Sequence, residues 1–453
     1  MDASTYLDAA TKAAATRPLG RRGDCTTTGM RVPLTLRARA LPRTTPCPLD
    51  EAAPLDRRGF LSATVFFQML PATALAPAIR PLFAEHHGGR EGPMHAFMAL
   101  NMVGAIVLTL LLASWPRFRK TAAARAPLFA LADALLLLCF ALPIPTQWLL
   151  AARVLEGALH VGLTVLLMSH AAEVARARQT PSLTTAAGTA VIFAVAAGNL
   201  VGGLLVALDA RAPFWAGAAL LMLVAATLSG QRLAVRAAPA AAARAALPRA
   251  SFPLAAAFLS RFAVGCLIVS FSLFAHRVHG LSDRHVGLLY ACLTVPFAFA
   301  MFPAGALLRH RPSRGALALG MLAFAGSVAC LGHVPAALLP LPMIAGGVAS
   351  ALVFASVLAF AADETEAPAR ARSMAMVNAA GCFGMLAGPM AGGIVAAIFR
   401  DPSDAGRGYR AAFLLAALAL SSWVAVSLRW VAARSAAPRG PRPAAVAALS
   451  RRQ

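Results

Sequence analysis

The sequence predicts an all-α polytopic membrane protein, with twelve transmembrane helices arranged as two six-helix halves. Three observations predict it. The 453 residues are 59% hydrophobic and 13% charged, with a mean hydropathy of +0.69, where soluble domains carry about 25% charged residues. Twelve apolar runs recur along the chain, each near the ~20 residues a helix needs to cross the hydrocarbon core. The runs repeat at an offset of 190 residues: Gly384-Met385-Leu386-Ala387-Gly388-Pro389-Met390-Ala391-Gly392-Gly393 has a weaker copy in Ala194-Val195-Ala196-Ala197-Gly198-Asn199-Leu200-Val201-Gly202-Gly203.

Residues 1–59 are rich in Arg, Thr, Pro and Ala, lack helical periodicity and contain no long apolar core. They are expected to form a disordered cytoplasmic tail. The first half, residues 60–233, holds runs at 60–83, 94–115, 126–145, 147–170, 184–207 and 213–233. Residues 234–251, Ala-, Pro- and Arg-rich without an acid, are the expected cytoplasmic linker. The second half, residues 252–432, holds runs at 252–275, 285–308, 315–333, 338–362, 373–399 and 411–432, and residues 433–453 form a cytoplasmic tail. A parallel duplication of six spans places two halves about an axis along the membrane normal.

Orientation follows from the arginines. One set of loops carries Arg117, Arg119, Lys120, Arg125, Arg176, Arg178, Arg232, Arg309, Arg311, Arg314, Arg370 and Arg372. The opposite set carries Arg90, Arg211, Arg277, Arg284, Arg400, Arg407 and Arg410, with acids beside several of them. The richer set lies on the side of both tails, so both termini are expected in the cytoplasm. The net charge of +23 is thereby a matter of topology and lipid headgroups, and no nucleic-acid partner is expected. Ala and Arg abound while lysine is confined to Lys12 and Lys120. That usage suits a GC-rich bacterial genome, and the expected location is the inner membrane.

Gly384, Gly388 and Gly392 stack on one helix face, as do Gly198 and Gly202. Such stripes let a second backbone approach closely in a bilayer. Pro389 frees one carbonyl within its run. The expectation for Gly388→Leu is a chain that inserts but cannot alternate between conformations.

With these residues in view, the chain resembles the major facilitator superfamily over about residues 56–433. The Gly-Pro-Gly-Gly stretch of the eleventh run is similar to that family's motif C, and the fifth run repeats it with Asn199 in the proline's place. Arg153-Val154-Leu155-Glu156-Gly157 in the fourth run looks like motif B. Motif A is degraded: Ala113 to Lys120 keeps only basic residues, and Gly305-Ala306-Leu307-Leu308-Arg309 puts Arg309 where an Asp is expected. The resemblance implies that runs 1, 4, 7 and 10 line a central cavity. Motif C in run 5 is typical of members that export by antiport, so the resemblance points to the branch of drug or metabolite:proton antiporters.

Only Asp133 and Glu156 among the eighteen acids fall well inside a run, with Arg153, Arg261 and His160 as the deep cations. Ionisable groups at such depth cost about 2.5–3.5 kcal/mol each on insertion scales, which marks them as functional candidates. Arg153, Glu156 and His160 form one stripe at i, i+3 and i+7. For Glu156 two readings stand: a coupling-proton site, or a fixed ion pair with Arg153. Arg153, as the motif B arginine, is read as structural together with Gly157. His160 is a core histidine or a proton relay, and Asp133 is its expected partner. Arg261 either competes with the proton for Glu156 or holds an anionic part of the substrate. Gln68, Asn101 and Asn378 are the neutral substrate-binding candidates, while Asn199 belongs with the helix contacts. Phe66, Phe67, Phe262, Phe271, Phe274, Phe354 and Phe360 are packing residues, of which a cavity-facing subset would suit an amphiphile.

The seven cysteines have no metal-ligand spacing, and no nucleotide loop or nucleophile–base pair is present. His86-His87 with Glu85 is read as a solvated outer loop. The expectation is no enzyme, no cofactor and no metal, but a monomeric secondary transporter for a small organic or amphiphilic solute, proton-coupled and exporting. An uptake symporter or metabolite permease is the alternative on the same fold. A sensor or assembly partner is the alternative of another class.

Overall fold

The computed structural model describes residues 55, 57–180, 182–235, 251–308, 313–363 and 370–436. The expected N-terminal tail up to residue 54, most of the linker and the end of the C-terminal tail lie outside the described residues. Among the described residues there are fourteen α-helices. Eight belong to the first half: α1 (Arg58–Ala74), α2 (Ile79–His86), α3 (Glu91–Ser114), α4 (Pro116–Ala124), α5 (Ala126–Phe140), α6 (Thr146–Ala177), α7 (Ser182–Val206) and α8 (Ala212–Leu228). Six belong to the second: α9 (Ser251–His279), α10 (Asp283–Leu308), α11 (Arg314–Leu331), α12 (Pro340–Asp363), α13 (Arg370–Ile398) and α14 (Arg407–Ala436). The described residues contain no strand, only one isolated bridge between Asp401 and Asp404.

Each apolar run coincides with a helix, but not at the expected lengths. Ten helical stretches are long and apolar enough to cross a membrane. The first of them breaks at Leu75, where Ala76–Ala78 forms a single 3-10 turn around Pro77, so α1 and α2 share one run. The run at 126–145 yields only the fifteen residues of α5, preceded by α4 across a 72° bend. Helix α4 stands where the charges of Arg117, Arg119, Lys120 and Arg125 predict a loop. Its Ala122 and Ala123 are buried, while Arg117 and Lys120 stay exposed, which is the signature of a helix lying on a surface. The run at 213–233 ends early: α8 has seventeen residues, and Gly230 then takes a positive φ of 79°.

Packing repeats at the offset seen in the sequence. Helix α1 packs on α7 as α9 packs on α13; α3 on α6 as α10 on α12; α5 on α8 as α11 on α14. The halves meet through two further symmetric pairs, α7 on α10 and α3 on α13.

The glycine stripes divide between these two kinds of contact. Gly388 faces α9 of its own half so closely that an added Cβ would lie 2.9 Å from the Cys266 nitrogen and overlap the Phe262 carbonyl. The Cys266 thiol donates to the Gly388 carbonyl at 3.2 Å. Gly198 and Gly202 face α1 in the same way. The stripe therefore holds each half together, which corrects the expectation for Gly388→Leu: it damages the half itself rather than only its movement. The residues at the inter-half seam are Gly203 against Gly287, where an added Cβ would sit 2.7 Å from the opposing Cα, and Gly393 against His95.

Candidate functional site

Two polar centres lie inside the helices, one in each half. In the first half, α6 carries Arg153, Glu156 and His160 along one face, all buried. Arg153 Nη1 lies 2.6 Å from Glu156 Oε2. Its Nε donates to the Phe97 carbonyl at 3.3 Å, and its guanidinium stacks 4.8 Å above the Phe97 ring centroid. One turn on, His160 Nδ1 lies 2.9 Å from Asp133 Oδ2, joining α6 to α5. The ligand atoms of Asp133, Glu156 and His160 all fall within 4.8 Å of one another. That spacing alone would admit a metal ion. The Arg153 guanidinium, already paired with Glu156, places a fixed positive charge against any such cation, so the donor set does not suit one. Asp133 Oδ1 and His160 Nε2 are buried without a hydrogen-bond partner among the described residues.

Gln68 completes this centre from α1. Its amide donates to the His160 carbonyl at 2.9 Å and accepts from Thr164 at 3.1 Å. Both ends of the amide are engaged, so Gln68 stands with the acidic cluster rather than beside Arg261. Gly157 lets α6 touch the backbone of Asn101 on α3, whose Oδ1 is buried without a partner among the described residues. Asn199 donates to the Val195 carbonyl within α7 at 3.2 Å.

The second centre is Arg261 on α9. Its guanidinium lies 5.2 Å from the Phe354 ring centroid on α12, and its stem runs past Gly381 and Gly384 of α13. Among the described residues no carboxylate lies within ion-pairing distance of it. Cys382 is beside it, and Asn378 is exposed one turn earlier on the same helix. The five described cysteines, Cys139, Cys266, Cys292, Cys330 and Cys382, are free thiols.

At one end the halves are tied by charge. Arg80, following α1 on α2, forks onto Asp283 at the start of α10, with Nε to Oδ1 at 2.7 Å, and reaches His276 Nε2 at 3.3 Å. Glu91 at the start of α3 contacts Arg277 and lies 2.7 Å from Arg400, while the Tyr409 hydroxyl donates to it at 3.1 Å. Gly280, at φ +64°, ends α9 by turning Leu281 back, with its amide donating to the Ala275 carbonyl at 3.1 Å, and this brings Asp283 within reach of Arg80. These inter-half partners have no local sequence signal, since they lie 186 to 318 residues apart. The expected loop histidines are likewise engaged, His86 with Arg211 at 2.8 Å and His87 with Thr146 at 3.1 Å. At the other end a crevice of about 370 Å³ lies between α7 and α10, lined by Thr185, Gly188, Ile192, Met301, Phe302 and Gly305, with Phe193 of α7 packed 5.4 Å from Phe299 of α10.

Residues 253–453 match the family model of the Major Facilitator Superfamily. Over those residues the chain is similar to that superfamily. Solved structures with the same fold include a bacterial homolog of the human lysosomal transporter Spinster in an inward-facing, occupied conformation, at 16% identity and a TM-score of 0.70, covering 85% of this chain and 98% of that one. The nucleoside transporter NupG aligns at 14% identity and a TM-score of 0.64, over 82% and 99% of the two chains. The human organic anion transporter MFSD10 aligns at 16% identity and 0.57, over 82% and 99%. At these identities the likeness is one of fold. No curated protein matches the sequence. The chain shares the fold of these transporters, with ten helical stretches long and apolar enough to cross a membrane among the described residues.

Proposed function

We propose that the chain is a twelve-span secondary transporter of the inner membrane, with both termini cytoplasmic, exporting a small organic or amphiphilic solute in exchange for protons. The halves are residues 60–233 and 252–432, joined by the 234–251 linker. The observation that carries this reading is the division of deep charge: a buried carboxylate cluster in the first half and an unpaired arginine in the second. Glu156, with His160 and Asp133, takes up and releases the coupling proton, while Arg153 sets the field in which it does so. Arg261, Asn378 and Asn101 face the solute, and Gln68 links the cluster to α1.

The contacts between the halves support alternating access. With the arginine-poor loops outside, the Arg80–Asp283 and Glu91–Arg277 ties close the outer end, and the crevice between α7 and α10 opens inward. Movement then consists of breaking those ties while Gly188 and Gly305, which face open space in this state, close against each other's helices. The transporters of nucleosides and organic anions that share the fold are compatible with a small organic solute.

The test is proton-driven flux in inverted vesicles offered a compound panel from the outer solution. Wild-type protein should drive uptake when the lumen is acidic, and Glu156→Gln should remove that dependence while leaving the protein inserted. Unchanged pH-driven flux in Glu156→Gln would remove the cluster from the mechanism.

A further inference from the structure

Arg153 and Arg261 are the same residue in similar settings with one difference. Each stacks on a phenylalanine, at 4.8 Å for Phe97 and 5.2 Å for Phe354. Arg153 is enclosed, and its remaining donors meet Glu156 and a backbone carbonyl. Arg261 is half-buried, and no carboxylate or hydrogen-bond acceptor meets it among the described residues. It sits nine residues beyond Phe252, so about 14 Å along the helix from the membrane face at 1.5 Å per residue. A guanidinium at that depth is stabilised by an anion, and its planar fork of N–H groups matches a carboxylate or sulfonate in two parallel bonds.

From this we infer that Arg261 is an anion-binding site and that the transported solute is an organic monoanion with a flat apolar body. The inference rests on the transporter reading above. The single charge follows from the surroundings. The only other deep arginine, Arg153, is already paired, and the chain's only lysines are Lys12 and Lys120, outside the apolar runs. A dianion would carry its second charge uncompensated. The flat body follows from the neighbours of the arginine: its guanidinium lies 5.2 Å from the Phe354 ring, Phe297 packs 6.1 Å from Phe354, and Gly381 and Gly384 leave no side chain over the arginine stem. Aromatic and glycine surfaces of this kind accept a planar ring and offer little to a hydrated sugar.

The experiment is calorimetric titration of the full chain in phosphatidylcholine nanodiscs with 1-naphthoate and its neutral isostere 1-naphthamide. Wild-type protein should bind 1-naphthoate at least tenfold more tightly. Arg261→Gln should abolish the difference, Arg261→Lys should keep part of it, and Phe354→Leu should weaken both probes while preserving their order. Melting curves of the apo variants identify any that misfold, and Arg261→Lys then carries the comparison. Equal affinity for the two probes, no binding of 1-naphthoate to wild type up to millimolar concentration, or wild-type binding by Arg261→Gln would each overturn the inference. Charge-selective binding without vesicle flux would instead sink the transporter reading and leave the anion site standing. Flux that ignores the solute's charge would do the reverse.

Discussion

Arg80 and Asp283 close a two-pronged ion pair across the boundary between the halves, 203 residues apart, with side chains only 21% and 13% exposed. The fork is partly shielded from solvent, which makes it stronger than a surface pair. Reversing either charge should release the outer end. Arg80→Asp or Asp283→Arg alone should cut flux about tenfold, the equivalent of about 1.4 kcal/mol in the balance between states. The double reversal should restore most of it. A double variant no better than its parents would show that the pair does not act as a latch.

His276 braces that latch. Its Nδ1 lies 3.1 Å from the Leu281 carbonyl and must carry a proton there, so the Nε2 facing Arg80 at 3.3 Å can only accept. The imidazole thus ties the end of α9 to the arginine that reaches Asp283. His276→Leu should loosen the latch. Distance measurements between spin labels on α2 and α10 should show a longer separation in that variant than in wild type.

The Arg153–Glu156 pair is nearly inaccessible, at 1% and 2% exposure. Breaking such a pair by removing one partner costs about 3–5 kcal/mol, whereas replacing both with apolar residues costs less. Glu156→Gln should therefore melt well below wild type in detergent, and Arg153→Met with Glu156→Met should recover much of the loss. Both should lack proton-driven flux. Recovery of flux in the double variant would make the pair purely structural.

Gly388 and Gly203 should separate folding from movement. Gly388→Ala forces α13 off α9 within one half, an overpacking cost of about 1–3 kcal/mol. Its melting temperature should fall. Gly203→Ala presses on Gly287 across the seam, so it should melt close to wild type but favour separation of the outer ends. Equal melting losses in the two variants would contradict the division.

Much of this was legible in the sequence because lipid restricts the choices. Every apolar run became a helix, since a buried backbone must satisfy its own hydrogen bonds. The stripe of Arg153, Glu156 and His160 and the link to Asp133 could be read because deep charges seek partners. Helix α4 was hidden, its first turns too basic to register beside the longer apolar runs. The Arg80–Asp283 and Glu91–Arg277 ties were invisible for another reason. Each partner sits in a loop-end position where a lone charge is ordinary, and only the meeting of the two halves gives it a meaning.

The unmatched guanidinium of Arg261 also makes the empty protein sensitive to membrane voltage. While Glu156 is ionised it cancels Arg153, so alternation of the chain without solute or coupling proton exposes one uncompensated positive charge first to one side of the field and then to the other, and a coupling proton on Glu156 adds a second. A potential of 100 mV acts on a full charge with about 2.3 kcal/mol. An inside-negative membrane would hold the empty protein facing inward, and a bound monoanion would cancel the charge and free it to turn. The electrical signature to seek is a current carried by the empty return step and absent from the loaded one.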